Sequence, residues 1–158
     1  MKEATRENLQ KEAWRLTSLV VRQRGTGTSE IARCFTCKNT AHWKEMDGGH
    51  YIHASESSKY SFLYFFLKNV HTQCSYCNKH KGGNTIEYAY RLTEEYGPNI
   101  LEELQEMKRD EHRLNRVELQ AIIELRCRDL GITPRKWKET KQCAHRRKDC
   151  TICHSTKT

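Results

Sequence analysis

Two closely spaced cysteine pairs constrain the fold of this chain more than any other feature of its sequence. Cys34 and Cys37 form one C-x-x-C pair, and Cys74 and Cys77 form a second. The two-residue spacing lets both thiolates of a pair reach one ion at about 2.3 Å, so two pairs complete the tetrahedral coordination of a structural zinc. Such a closed site leaves no open position on the metal, and we expect this zinc to stabilise the fold without taking part in catalysis.

The composition explains why a chain of this kind would use a metal. Its 158 residues include 8 cysteines and 8 histidines, but only 36% are hydrophobic. Disulfides do not persist in a reducing cytosol, whereas a structural zinc contributes folding free energy directly. No apolar run approaches the ~20 residues of a membrane span, and the first residues lack the apolar segment of a signal peptide. We therefore expect a cytoplasmic protein without a membrane partner.

The charge distribution favours nucleic acid as the partner. The chain has 28 Lys and Arg against 20 Asp and Glu, a formal net charge of +8. Most of the excess lies at the end of the chain, in residues 132–158. A concentrated positive charge attracts polyanions. The alternative explanation is a solvated basic tail that improves solubility.

This tail also contains a second cluster of cysteines and histidines. Cys150 and Cys153 form a third C-x-x-C pair, and Cys143 together with either His145 or His154 would complete a second, smaller zinc site. The alternative is free thiols on an extended tail. With zinc bound, the tail would present a compact basic surface to phosphates through Arg146, Arg147 and Lys148.

Hydrophobic periodicity and turn residues predict an α+β fold in four segments. Apolar residues recur at helical spacing in residues 4–24, whereas the region around the cysteine pairs has no long helical period. Asn84 with Glu87 and Asn115 with Glu118 have the spacing of helix caps, and Pro98 after Gly97 predicts the start of another helix. The predicted segments are 1–30, an N-terminal helix and linker; 31–97, a zinc-bound core; 98–131, a helical extension; and 132–158, the basic tail.

The stretch between and just after the cysteine pairs contains side chains suited to phosphodiester hydrolysis. A neutral histidine such as His50 can take a proton from water near physiological pH. Asn78, directly after Cys77, offers an amide oxygen and Asp47 a carboxylate, and a hard cation such as Mg²⁺ or Mn²⁺ prefers oxygen ligands. Asn69 can hold the imidazole of His50 by a hydrogen bond.

These residues resemble the HNH, or ββα-metal, nucleases, and more specifically the NinG (Rap) recombination proteins of bacteriophages. The resemblance runs from Cys34 to about Leu130. Its central motifs are Asp47-Gly48-Gly49-His50-Tyr51, Asn69-Val70-His71-Thr72-Gln73-Cys74 and Cys77-Asn78-Lys79-His80-Lys81-Gly82-Gly83-Asn84. The resemblance implies a zinc-stapled ββα-metal, treble-clef-like core flanked by an N-terminal helix and a C-terminal helical extension.

The resemblance also implies an activity and roles for individual residues. The activity is a structure-specific endonuclease that cleaves branched double-stranded DNA, including Holliday junctions and D-loops, in the cytoplasm of a bacterial host. His50 would be the general base, Asn69 would orient it, and Asn78 would bind the catalytic cation. Lys79 and Lys81 are candidates for phosphate contacts, and paired cuts across a near-symmetric junction would suit a homodimer.

The sequence offers three candidates for the second ligand of the catalytic cation. In many relatives an acidic residue directly precedes the general base, whereas Gly49 occupies that position here. Asp47 is the nearest carboxylate, and a bulge at Gly48 and Gly49 would bring it into place. His53 and His80 are the alternatives.

Two other functions compete with the DNA endonuclease. The first is a zinc-ordered DNA-binding module without catalysis, which also predicts zinc and salt-sensitive DNA binding. The second is a nuclease of the same fold that acts on RNA, because contacts to the phosphate backbone alone do not distinguish the two polymers.

Overall fold

Residues 3–24 and 26–138 are described by a computed structural model of the chain, which has an α+β fold. The described residues form four α-helices and four short β-strands, with single helical turns between some of them. The helices are α1 (Arg6–Gln23), α2 (Thr85–Tyr96), α3 (Ile100–Arg109) and α4 (Arg116–Leu130), and the strands are β1 (Ile31–Arg33), β2 (Thr40–His42), β3 (Met46–His50) and β4 (Val70–Cys74). A π-helical turn, Tyr76–His80, follows β4.

The N-terminal helix forms where the periodicity predicts it and packs against the last helix. The Thr5 side chain caps α1 by accepting a hydrogen bond from the backbone N–H of Asn8, which satisfies one of the free donors of the first turn. Leu9, Ala13 and Leu16 are fully buried on one face of α1. They form a core with residues of α4, including Leu119 and Ile123.

The strands form two antiparallel hairpins, β1–β2 and β3–β4. In the second hairpin each residue of β3 pairs with one residue of β4, from Met46 opposite Cys74 to His50 opposite Val70. The expected bulge at Gly48 and Gly49 is therefore wrong, because the pairing continues through both glycines. The long segment 51–69 connects the two strands at the end of the hairpin where His50 pairs with Val70.

The starts of α2, α3 and α4 agree with the sequence predictions to different degrees. Asn115 and Glu118 form the predicted capping box at the start of α4. Asn84 precedes α2 as predicted, but its φ of 51° turns its side chain away from capping the helix. The helix predicted to start at Pro98 begins at Ile100, after a turn in which the Ile100 N–H donates to the Gly97 carbonyl.

The aromatic segment 61–67 joins two hydrophobic cores. Phe65 is buried in the core between α1 and α4, whereas Leu63 is buried with residues of α2 and α3, including Tyr88, Leu92 and Leu104. Phe62 is 48% exposed, although its neighbours Leu63 and Phe65 in the same segment are buried. In the described ranges, no helix combines the length and apolarity needed to cross a bilayer.

Candidate functional site

The four predicted cysteines converge on one point. The sulfur atoms of Cys34, Cys37, Cys74 and Cys77 all lie within 4.8 Å of one another, and those of Cys37 and Cys74 are 3.7 Å apart. A tetrahedral zinc with metal–sulfur distances of about 2.3 Å has sulfur–sulfur edges of about 3.8 Å. The cluster could therefore hold a zinc ion, as predicted.

Backbone turns place the two cysteine pairs. Lys38 has a φ of 66° in the turn between β1 and β2, and its N–H donates to the carbonyl of Cys34. The N–H of Phe35 donates to the carbonyl of Thr72, which ties the first pair to β4. Burial raises the pKa of Cys37 to about 12, so the metal-free cluster holds protons that a divalent cation would displace.

The predicted second zinc site lies outside the described residues. This applies to Cys143, His145, Cys150 and Cys153 and to the basic residues Arg146, Arg147 and Lys148. Within residues 3–24 and 26–138, the four-cysteine cluster is the single group of three or more Cys, His, Asp or Glu side chains close enough to share an ion.

The structure brings Asp47 and Asn78 together, as a shared cation site requires. The Asn78 Nδ2 donates to the Asp47 Oδ2 at 3.2 Å. Asn78 lies in the π-helical turn directly after Cys77, so the cysteine cluster limits its movement. The Lys79 ammonium also pairs with the Asp47 carboxylate at 3.1 Å, whereas the Lys81 ammonium lies 5.4 Å from the ring centre of the exposed Tyr76.

His50 ends β3 in an aromatic enclosure. Its ring stacks on Trp14 of α1 and packs at a tilt against Tyr64, with ring centroids 4.5 Å apart in both pairs. Its Nε2 lies 2.9 Å from the carbonyl oxygen of Tyr64. A carbonyl can only accept, so Nε2 carries the proton and Nδ1 keeps its lone pair in the neutral ring. Burial lowers the pKa of His50 to about 4, which keeps it neutral at pH 7.

The predicted hydrogen bond between Asn69 and the His50 imidazole is wrong. The Asn69 side chain is buried and bonds to backbone instead: it accepts from the N–H of Ile52 and donates to the carbonyls of Ile52 and Leu63. These buried backbone groups would otherwise lack partners, and they outcompete the imidazole. Asn69 thereby organises the segment that carries the Tyr64 carbonyl, so its influence on His50 is indirect.

His50 and the Asp47–Asn78 pair lie on opposite faces of β3. Side chains alternate along a strand, and a Cβ added at Gly48 would meet Ser18 of α1, whereas one at Gly49 would meet Asn78. His50 is the last residue of the strand. A phosphate that contacts both groups would therefore approach the end of β3.

The two alternative histidine ligands differ in position. His53 lies near the end of β3, because a Cβ added at Gly83 would be 3.1 Å from His53 Nε2 and 3.7 Å from the His50 carbonyl oxygen. His80 is exposed and stacks on Tyr76. The buried His71 bonds to the hydroxyls of Tyr88 and Tyr96.

Comparison with known proteins identifies the family. A family model described as "Bacteriophage Lambda NinG protein" matches residues 2–131. The chain belongs to the NinG family. It is 33% identical over 91 residues to "Protein ninG" of Escherichia phage lambda and 34% identical over 91 residues to that of Salmonella phage P22. Each match covers 56% of this chain and 41% of the relative.

The chain thus spans about two fifths of the length of the curated NinG proteins that it matches. A NinG protein of Escherichia phage 933W is similar to the same extent, at 33% identity over 56% of this chain and 42% of the relative. No solved structure gives a significant match.

Three residues near the site were not predicted. Trp14 lies among the apolar residues at helical spacing in α1, and Tyr64 lies in the aromatic segment 61–67. Gln73 stands inside a family motif but received no role. Sequence spacing carried no signal for these contacts, since each joins residues that are distant along the chain.

Proposed function

We propose that this NinG-family chain is a metal-dependent endonuclease that cleaves phosphodiesters in branched DNA, with β3, β4 and α2 as its ββα-metal unit. The observation that carries the proposal is the arrangement on β3. One strand holds a carboxylate, Asp47, against the amide of Asn78, and ends in His50, a neutral histidine with an unprotonated Nδ1.

The proton transfer falls to His50. Its Nδ1 would accept a proton from the attacking water while the Tyr64 carbonyl holds Nε2–H and keeps the ring in one tautomer. The imidazolium formed in this step would be stabilised by the same carbonyl, whereas burial against Trp14 and Tyr64 disfavours its charge. A low pKa makes His50 a weak base but leaves it fully neutral at pH 7.

Asp47 and Asn78 would hold the catalytic cation. The carboxylate and amide oxygens suit Mg²⁺ or Mn²⁺, which bind a few protein oxygens and keep several waters. When bound, such an ion neutralises charge on the scissile phosphate and on the leaving oxygen. Lys79, next to Asp47, and Lys81 would contact neighbouring phosphates, in line with the net charge of +8.

The family resemblance is the basis for proposing a branched substrate, and a branched substrate in turn suggests a dimer. A four-way junction has near-twofold symmetry, and two copies of the chain would make paired cuts. The substrate panel must therefore include four-way junctions, D-loops, linear duplex and RNA. Cleavage of RNA but not of DNA would favour the RNA-directed alternative.

The decisive experiment compares wild type with His50→Ala on labelled four-way junctions in the presence of Mg²⁺ or Mn²⁺. Cleavage by wild type and binding without cleavage by His50→Ala are the expected results. Zinc content and junction affinity should match in both proteins at a temperature where both are folded, which separates a chemical defect from a folding defect.

One observation favours the DNA-binding module as the second candidate. His50 is only 8% exposed, and it faces α1 rather than the Asp47–Asn78 pair. If wild type binds junctions and cuts none of the substrates with either metal, the module without catalysis is the better assignment.

A further inference from the structure

Gln73 of β4 has a buried oxygen that nothing in the described protein satisfies. Its side chain is 0% exposed, and its Nε2 donates to the carbonyl of Gly83 at 2.7 Å and to the hydroxyl of Thr36 at 3.3 Å. Its Oε1 has no hydrogen-bond partner among the described residues. A buried carbonyl without a hydrogen-bond partner destabilises the folded protein, and native structures rarely leave one unpaired. The two bonds made by Nε2 fix the amide, so Oε1 cannot rotate away to find a donor.

This oxygen lies beside Gly49, in a space that any side chain at position 49 would fill. A Cβ added at Gly49 would collide with Gln73 Oε1 and would lie 2.8 Å from its Cδ. The same Cβ would lie 3.1 Å from Asn78 Oδ1. The backbone of Gly49 is ordinary strand, so glycine is needed here for space and not for a special φ.

Two amide oxygens thus converge on Gly49 from different elements, one from β4 and one from the π-helical turn. Gln73 is also directly opposite Asp47 in the hairpin, and paired residues project from the same face of a sheet. Three oxygen-bearing side chains therefore share one face. Oxygens that only accept hydrogen bonds repel one another unless a donor or a cation lies between them.

We propose that Gln73 Oε1 is a further ligand of the divalent cation, together with Asn78 Oδ1 and the Asp47 carboxylate, and that Gly49 leaves the space for it. This inference rests on the proposed function. The Gln73 amide also connects the two metal sites: its Nε2 bonds to Thr36, whose hydroxyl contacts the Cys34 sulfur at 3.4 Å. The zinc cluster therefore positions this ligand through a rigid hydrogen-bonded chain.

The first test measures Mn²⁺ affinity by electron paramagnetic resonance of the free ion. Gln73→Ala should weaken binding by at least about 10-fold, with an unchanged zinc content. Gln120→Ala, an exposed glutamine on α4, is the matched control and should bind Mn²⁺ as wild type does. Unchanged affinity in Gln73→Ala would overturn the inference.

A second variant tests the position of the ligand. In Gly49→Asp/Gln73→Ala, a carboxylate grows from β3 into the space that the amide vacates, and Mn²⁺ binding should return. Gly49→Ala/Gln73→Ala fills the space without an oxygen and should stay weak. Equal affinities in the two double variants would contradict the shared position.

A measurement on the wild-type protein covers the case in which Gln73→Ala does not fold. Titration with Mg²⁺ should move the side-chain carbonyl ¹³C resonances of both Gln73 and Asn78. A shift at Asn78 alone overturns the inference and leaves the proposed function intact. No shift at either residue, together with no Mn²⁺ binding by wild type, contradicts the cation of the proposed function itself.

Discussion

Trp14 and His50 stack almost face to face, with ring centroids 4.5 Å apart and an angle of 21° between their planes. The two residues are on α1 and at the end of β3. The N-terminal helix therefore forms one wall of the enclosure around His50. This contact contributes to the burial that lowers the pKa of His50 to about 4.

Removing the Trp14 ring should raise the pKa of His50. In Trp14→Ala, water reaches the imidazole and stabilises its charged form, so the pKa should move from about 4 toward the ordinary value of 6.5. A pH titration of the His50 ring protons by NMR measures the change. Trp14→Phe keeps an aromatic face and should shift the pKa less. A pKa near 4 in Trp14→Ala would show that the indole does not control the desolvation.

Losing one cysteine of the cluster should cost the protein its metal and most of its stability. Cys74→Ala leaves three thiolates for the zinc, and the free energy of zinc binding is part of the folding free energy. Metal analysis and thermal unfolding check this. Cys127→Ala is the control, because Cys127 is buried between α1 and α4, away from the cluster, and its loss should cost about 1 kcal/mol with zinc retained.

The same metal analysis tests the predicted site in the tail. A zinc-to-protein ratio near two in wild type, reduced to one by Cys150→Ala, would support a second zinc site. A ratio near one that Cys150→Ala leaves unchanged would contradict it.

Acidification should destabilise the protein through His71. Burial lowers its pKa from 6.5 to about 3, so between these values the unfolded chain is protonated at this residue and the folded protein is not. The contribution of His71 to the free energy of unfolding is complete above pH 6.5. It decreases as the pH falls, by about 2 kcal/mol at pH 5. Denaturant unfolding at pH 7 and pH 5 measures the difference.

The comparison with His71→Gln isolates this contribution from protonation of the zinc ligands, which affects both proteins. The variant should be less stable at pH 7, because it loses the stack on Phe35. Its loss of stability between pH 7 and pH 5 should be about 2 kcal/mol smaller than that of wild type. Equal losses in the two proteins would mean that His71 is not neutral in the folded protein at pH 5.

Asp47→Asn should separate cleavage from DNA binding. The change removes the carboxylate beside Asn78 while keeping its size, so we expect Mn²⁺ affinity to fall at least about 10-fold and cleavage to fall with it. DNA affinity should stay the same or rise, since a negative charge near Lys79 is lost. Asp110→Asn, at an exposed helix end, is the control. Full cleavage by Asp47→Asn would leave His53 as the stronger candidate ligand.

Local spacing made several features predictable. The two C-x-x-C pairs indicated one zinc cluster, because a metal accepts only a narrow range of sulfur positions. The capping box of Asn115 and Glu118 was predictable because both of its hydrogen bonds join residues three positions apart. The contact between Asp47 and Asn78 was also anticipated, although by way of a bulge that the regular pairing of β3 and β4 makes unnecessary.

The sequence alone thus determined the four-cysteine cluster, the helix capped by Asn115 and the residue types of the site, since these depend on short spacings and on the chemistry of single side chains. Only the tertiary structure decided that Asn69 binds backbone rather than His50, that Trp14 and Tyr64 enclose the imidazole, and that Gln73 points its free oxygen at Gly49. These contacts form between segments that meet only when the chain closes on itself. Buried polar groups compete for hydrogen-bond partners, and no local sequence pattern shows which partner each group will bind.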